Sequence, residues 1–210
     1  MPGADLDAGS VLLEMGGERF FADIGGDLAL PTLLCRRAEG HNTWVINPPE
    51  ETLPDQNPDA VARLTEMRSV DERAYAVVDM TTTNDAILRG KRGVLLCESR
   101  RVAVIQDELT LSNAAEVVFT AWTRAEVALS RGGRVATLTQ NQKTMAMRLC
   151  GVSARFTVEK AEGTDLSLLK VCVGVKEKLR MAVVCRLLAE GENGSEKAYE
   201  LIPMSKWSEI

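Results

Sequence analysis

Short apolar and alternating runs follow one another along the chain from Val11 onward, separated by turns rich in glycine, asparagine and charged residues. The turns recur about every ten residues, which is typical of β-sandwiches and β-barrels. No segment keeps a helical period for longer than about two turns, so packed helices are not indicated. We therefore predict an all-β fold with two stacked antiparallel sheets, a β-sandwich.

Glycine pairs mark two of the predicted hairpins. Gly132-Gly133 separates alternating arms at 124–130 and 134–140, and Gly16-Gly17 joins strands at 11–15 and 19–24. Glycine readily adopts the positive φ angles that tight hairpin turns require. Further strands are predicted at 42–47, 61–69, 73–80, 92–98, 101–110, 115–121, 143–150, 153–160, 168–175 and 180–189.

The 210 residues fit one large β domain better than two small ones. Residues 48–60 contain four prolines and are predicted to be a loop, because proline lacks the N–H that strand pairing needs. We assign residues 1–190 to the β-sandwich domain. Residues 191–210 are expected to form a C-terminal tail or a final strand, with these side chains packed on the sandwich: Tyr199, Leu201, Ile202 and Trp207.

The formal net charge of −5 argues against a nucleic-acid partner, since phosphates would be repelled. A uronate polymer would be repelled as well, so an anionic ligand requires a local basic cluster. The candidates are Arg36 with Arg37, Arg89 with Lys91 and Arg92, and Arg100 with Arg101. The alternative is that these groups are solvated strand ends.

The sequence does not fix the compartment of the protein. We expect no membrane partner, because no apolar run reaches the roughly 18 residues of a membrane span. The first residues lack the basic and apolar regions of a signal peptide. The five cysteines form no CxxC pair, and four that lie in apolar runs are expected to be reduced core residues: Cys97, Cys150, Cys172 and Cys185.

His41 is the only histidine, which excludes zinc sites with two or three histidines. It precedes an apolar strand and follows Gly40, a position typical of a sheet edge. The first hairpin is expected to bring the carboxylates of Asp5, Asp7 and Asp23 to one side. Two carboxylates and an imidazole suit a divalent ion, although a hydrogen-bonding histidine and exposed strand ends explain the same residues.

Glu39-Gly40-His41-Asn42-Thr43 is the most specific of several segments, spread over roughly residues 5–160, that belong together. In this order the segments resemble the β-sandwich part of bacterial heparinase II/III-like polysaccharide lyases. The other matching segments are 6–10, 17–19, 22–25, 37–38, 45–47, 54–60, 74–79, 101–108 and 123–127.

The resemblance implies a role in the β-elimination of uronate-containing polysaccharides. Family members, often periplasmic or secreted, carry an α/α toroid before the sandwich, and the substrate lies between the two parts. The catalytic tyrosine and histidine come from the toroid, which this chain lacks. The expected partners are thus an acidic polysaccharide and a toroid domain or partner chain, and no catalytic residue is assigned here.

The resemblance also implies a metal site. Asp23 and His41 match two zinc ligands of the family, whereas Asp5 stands where the family has a histidine, and Gly3 replaces a substrate-facing histidine. These departures weaken the preference for zinc, so the expected cofactor is one weakly bound divalent ion: zinc, manganese or calcium. The residues expected to contact substrate are Arg36, Arg37, His41 and Asn42.

A second departure is the stretch between Asp23 and His41, where residues 26–35 contain no aromatic side chain that could stack on a sugar. Three functions follow. The first is a lyase module that is inactive alone, and the second is a degenerate module that binds carbohydrate or protein. The third is an independent metal hydrolase that uses Asp5, Asp7, Asp23 and His41.

Overall fold

The computed structural model describes residues 5–25, 29–49, 54–192 and 199–209. Strands make up 50% of these residues and helices 9%, which confirms the all-β prediction. No helix in these four ranges is long and apolar enough to cross a membrane.

Fourteen strands and four short helices form the described structure. The strands are β1 Leu13–Met15, β2 Glu18–Phe21, β3 Trp44–Ile46, β4 Arg63–Val70, β5 Arg73–Asp79, β6 Ile87–Cys97, β7 Val102–Leu111, β8 Ala115–Thr123, β9 Glu126–Leu129, β10 Val135–Gln140, β11 Lys143–Cys150, β12 Thr157–Lys160, β13 Ser167–Val175 and β14 Lys178–Leu187. The helices are α1, Thr32–Arg36, and 3-10 helices at Ala38–Gly40, Thr81–Thr83 and Met204–Glu209.

Two antiparallel sheets pack face to face as a sandwich. The larger has eight strands in the order β4-β5-β6-β7-β14-β11-β10-β9, and the smaller has four in the order β12-β13-β8-β3. Strands β1 and β2 pair separately through the predicted Gly16-Gly17 hairpin. The predicted glycine hairpin of β9 and β10 is also present, with Leu129 opposite Ala136.

The main core lies between the two sheets. Ile105 of β7 and Leu138 of β10 pack there with Phe119 of β8. Because successive side chains of a strand point to opposite faces, each strand sends every second residue into this layer. Strand β7 is buried along most of its length, so its outer face must be covered too.

The C-terminal residues cover that outer face. Residues Met204–Glu209 form a 3-10 helix, so the alternative of a final strand is wrong for them. Trp207 is fully buried and meets Tyr75 edge to face at 6.0 Å between ring centroids. The segment is also held by hydrogen bonds, since Gln106 Nε2 donates to the Ile202 carbonyl oxygen at 2.7 Å.

The cysteines only partly follow the expectation of core positions. Cys185 is fully buried, and burial raises the pKa of its thiol. Cys97 and Cys150 are half-buried, whereas Cys172 is exposed. The core prediction is wrong for Cys172, because it alternates with the buried Val171 and lies on the solvent face of β13.

Candidate functional site

The segments that carry the family resemblance near the N-terminus meet in one place. We call residues 6–10, 22–25, 37–43 and 54–57 the N-terminal corner. The backbone N–H of Leu6 donates to the Arg36 carbonyl oxygen at 2.9 Å, and Val11 donates to Asn42 at 3.1 Å. The N-terminal residues therefore run alongside the segment that contains His41.

Asn42 joins the parts of the corner. Its Nδ2 donates to the Ala22 carbonyl oxygen at 2.8 Å, and its Oδ1 accepts from the backbone N–H of Trp122 at 2.7 Å. Its own backbone N–H donates to Ser10 Oγ at 3.3 Å. The side chain is fully buried with both polar atoms satisfied, so in this structure Asn42, expected to contact substrate, holds the fold together.

Asp55 caps the 3-10 helix that precedes His41. Its two carboxylate oxygens accept from the backbone N–H groups of Ala38 at 2.7 Å and Glu39 at 2.9 Å. Its Oδ2 also lies 3.6 Å from Arg37 Nε, and both side chains are buried. Arg37, a second residue expected to contact substrate, is thus turned inward against a loop carboxylate.

Two glycines of the resemblance have a steric role in the corner. A Cβ atom on Gly40 would lie 2.1 Å from the Leu34 carbonyl oxygen, so no other residue fits between Glu39 and His41 without moving the backbone. Gly9 has a φ of +73°, in the left-handed region, and a Cβ there would meet the side chain of Met80 at 2.4 Å.

The structure brings His41 and Asp23 together, as the resemblance implies. His41 Nδ1 lies 3.9 Å from Asp23 Oδ1, beyond hydrogen-bond distance. His41 is 5% exposed and Asp23 is 52% exposed, so the pair sits at the solvent boundary. His41 Nε2 is buried without a hydrogen-bond partner in the part of the chain that the structure describes.

The residues that the structure describes do not by themselves complete the expected metal site. Within the four described ranges, no group of three or more His, Cys, Asp and Glu side chains is placed to hold a metal ion. Asp5 and Asp7 are exposed, and neither forms such a group with Asp23 and His41. Catalytic zinc takes three protein ligands, and the pair supplies two. Gly3 lies outside the described residues.

Two of the three basic clusters expected to attract an anion are split by the fold, whereas Arg100 and Arg101 are both exposed. Arg36 is exposed at the end of α1, whereas its neighbour Arg37 is buried. Arg92 is buried beneath the corner, away from the solvent that Arg89 faces. Of the four residues expected to contact substrate, only Arg36 presents its side chain to solvent.

A buried ion pair that was not predicted from the sequence supports the corner from below. Arg92 and Asp107 are both buried, and Arg92 Nη1 donates to the carbonyl oxygens of Gly9 at 2.8 Å and Asn42 at 3.1 Å. Trp44 Nε1 donates to Asp107 Oδ1 at 3.0 Å. The sequence does contain a sign of this pair, because the cation Arg92 interrupts an apolar strand. If the strand continues through Arg92, the cation is buried and needs a buried partner.

A groove of about 680 Å³ opens beside the corner. One wall is apolar and comes from α1 and the residues before it: Leu30, Pro31, Leu33 and Leu34. Trp122 lines the groove and donates from Nε1 to the Glu39 carbonyl oxygen at 2.9 Å. The indole is an aromatic group that the segment between Asp23 and His41 does not itself provide, because it comes from β8.

Charged residues of both signs line the other side of the groove. Lys170 Nζ lies 3.2 Å from Glu39 Oε1 and 3.3 Å from Glu159 Oε2. Burial opposes the charge, but the bonds and charges of Glu39 and Glu159 outweigh it and raise the pKa of Lys170. The positive charge of Lys170 is therefore balanced by the two carboxylates, so the groove is not a strong anion-binding site.

No family model and no curated protein matches this chain. Solved structures do match its fold. A heparinase III gene product superposes with a TM-score of 0.70 at 15% identity, over 88% of this chain and 30% of that chain. The heparan sulfate lyase HepC from Pedobacter heparinus superposes with a TM-score of 0.71 at 12% identity, over 88% of this chain and 31% of that chain.

The aligned region includes most of the sandwich, and this chain spans about 30% of the length of the structures it matches. The likeness therefore concerns one part of each of those proteins. The chain shares its β-sandwich fold with one part of a heparinase III and of a heparan sulfate lyase.

Proposed function

We propose that this chain is the β-sandwich module of a heparinase II/III-like polysaccharide lyase and that it supplies one wall of a substrate cleft without catalytic residues of its own. The observation that carries the proposal is the fold shared over 88% of this chain with only about 30% of heparan sulfate lyase structures. The segments that resemble the family meet in one corner, which supports the same assignment.

The contacts within the N-terminal corner support the proposal that this chain has no catalytic residues of its own. Arg37 and Asn42 are engaged in internal contacts, and His41 and Asp23 form a pair rather than a complete site. A lyase must neutralise the uronate carboxylate, remove a proton and protonate the leaving oxygen. Arg36, which adjoins the corner in the sequence, suits the first task, and the described residues of the corner offer no matched acid and base for the other two.

The experiment is a lyase assay on the chain alone. Heparan sulfate and heparin are incubated with the protein, and ultraviolet absorbance from unsaturated uronate ends is followed, with full-length HepC from Pedobacter heparinus as the positive control. We expect no rise above the blank with the chain alone. Turnover that is abolished by His41→Ala would overturn the proposal.

The second candidate is a module that binds carbohydrate by itself. The exposed Arg36 at the end of α1 favours it, because a guanidinium can pair with a uronate or sulfate group. Titration of heparan sulfate oligosaccharides into the chain separates the candidates. Saturable binding that is weakened by Arg36→Ala but not by Arg131→Ala, an exposed arginine in the β9–β10 turn, would favour this alternative.

Metal analysis tests the predicted divalent ion. Because two side chains converge rather than three, we expect less than one equivalent of zinc, manganese or calcium in protein purified without chelator. Asp23→Asn should leave that content unchanged. One equivalent in the wild type that is lost in this variant would establish a site that uses Asp23.

A further inference from the structure

Strand β4 leaves an unusual amount of apolar surface exposed. Four of the nine large apolar side chains that are exposed among the described residues lie on it or just before it: Val61, Leu64, Met67 and Val70. Met67 is 72% exposed, the highest value of the nine. Clustered apolar exposure marks an interaction surface, whereas single exposed residues need no explanation.

Strand β4 is also the end strand of the eight-stranded sheet and, among the described strands, pairs only with β5. Leu64 lies opposite Val78 and Met67 lies opposite Ala76, and residues directly opposite on antiparallel strands share a face. Val78 packs against the main core, so Leu64 and Met67 continue the core-facing side of the sheet. The four-stranded sheet is half as wide, and none of the described residues covers this overhang. Val70, opposite Arg73, lies on the other face of the strand.

The charges beside Met67 indicate what covers the strand. Glu66 precedes Met67 and Arg68 follows it, and both project to the opposite face, since they lie across from Val77 and Tyr75. In a symmetric antiparallel pairing centred on Met67, Glu66 of each copy lies opposite Arg68 of the other. A parallel pairing in register would set like charges side by side, which is unfavourable.

We propose that β4 pairs antiparallel with β4 of a second copy of this chain, with Met67 at the two-fold axis. The unpaired N–H and C=O groups of the edge supply the hydrogen bonds, and the two Glu66–Arg68 pairs fix the register. The bulge between Leu64 and Glu66 interrupts the ladder, so the paired stretch is short and the dimer is weak.

Sedimentation of the 210-residue chain over a range of concentrations tests the dimer. We expect reversible association and concentration-dependent protection of the amides of residues 66–68 from hydrogen exchange. Glu66→Lys should weaken association about tenfold, because it sets two like-charged pairs at the interface. Arg68→Glu should do the same, and the charge-swapped double variant should restore the dimer.

Glu126→Lys is the matched control, since Glu126 is an exposed glutamate on β9 at the other edge of the same sheet. It should leave association unchanged. A chain that stays monomeric at all concentrations would refute the proposal. So would a dimer that both single variants leave intact, or a charge swap that fails to restore association.

Discussion

Arg92 and Asp107 lie directly opposite each other on β6 and β7 and form a two-point ion pair inside the sandwich. Arg92 Nε donates to Oδ1 at 2.8 Å and Nη2 donates to Oδ2 at 2.9 Å, with both side chains at least 97% buried. The guanidinium also lies 5.7 Å from the centre of the Phe119 ring. The pair connects the larger sheet to the corner, because the same guanidinium binds the Gly9 and Asn42 carbonyl groups.

Arg92→Met should lower the free energy of unfolding by about 3–5 kcal/mol, because the Asp107 carboxylate would stay buried without its cation. Asp107→Asn should cost less than this. The double variant should be more stable than the sum of the two single effects predicts, by about 1–3 kcal/mol. Urea denaturation of the four proteins measures this coupling, and additive effects would contradict it.

Asp55→Ala should lower the free energy of unfolding by about 3 kcal/mol, since one buried and one half-buried N–H group lose a charged acceptor. Hydrogen exchange should rise at residues 38–43. The control is Asp59→Ala in the same loop, where the side chain is exposed and the expected change is within about 0.5 kcal/mol. Equal effects of the two substitutions would show that Asp55 does not brace the corner.

Tyr199→Phe should change stability in a pH-dependent way. Burial raises the pKa of Tyr199 to about 12, and its hydroxyl has no hydrogen-bond partner in the described ranges. Because the unfolded phenol ionises near pH 10 and the folded one near pH 12, the stability of the wild type does not depend on this ionisation below about pH 10 and falls as pH rises from about 10 to about 12.

The phenylalanine variant should match or slightly exceed the wild type at pH 8, by up to about 1 kcal/mol, because it removes an unsatisfied buried group. It should then lose less stability than the wild type between pH 8 and pH 11. Denaturation curves at both pH values measure the difference. Equal losses of stability in the wild type and the phenylalanine variant would show that the Tyr199 hydroxyl is in contact with water.

Gly93→Ala should destabilise the fold by about 1–3 kcal/mol, because a Cβ there would lie 2.5 Å from Met204 Sδ and 2.6 Å from the Trp207 ring. Displacement of the ring should shift the tryptophan fluorescence to longer wavelength. Gly174→Ala on β13 is the control, since no atom of the described residues lies within 4 Å of its Cβ position. An unchanged emission spectrum in the Gly93 variant would mean that the C-terminal helix moves to make room for the methyl group while Trp207 stays buried.

Alternation and turn residues predict most of the strands but not the helices near the corner. The arms around Gly132-Gly133 are recovered as β9 and β10, since each contains alternating apolar residues. Helix α1 was not predicted, because Thr32–Arg36 is too short for a helical period to be visible. Strand β6 begins at Ile87 rather than at residue 92, because Arg89 and Lys91 break the apolar pattern.

The part of the candidate site that can be predicted from the sequence is the proximity of His41 and Asp23, and that prediction depends on the family resemblance. His41 and Asp23 are 18 positions apart, and composition alone does not indicate that they meet. Local charge suggested that Arg92 is solvated together with Arg89, whereas its partner Asp107 lies on the next strand. Burial of the cation depends on register, and a register is set by tertiary packing rather than by the neighbours in the sequence.

The bonds of Asn42 have a consequence for the order of folding. Its partners are far away along the chain: Ser10 is separated from it by 32 residues, Arg92 by 50 and Trp122 by 80. Closing such long loops has an entropic cost before the contacts form, so hairpins such as β9–β10 should assemble first and the corner last. Substitutions in the corner should then accelerate unfolding while they leave the folding rate nearly unchanged. The lifetime of the native state, more than the speed at which it forms, would be set by the residues around His41.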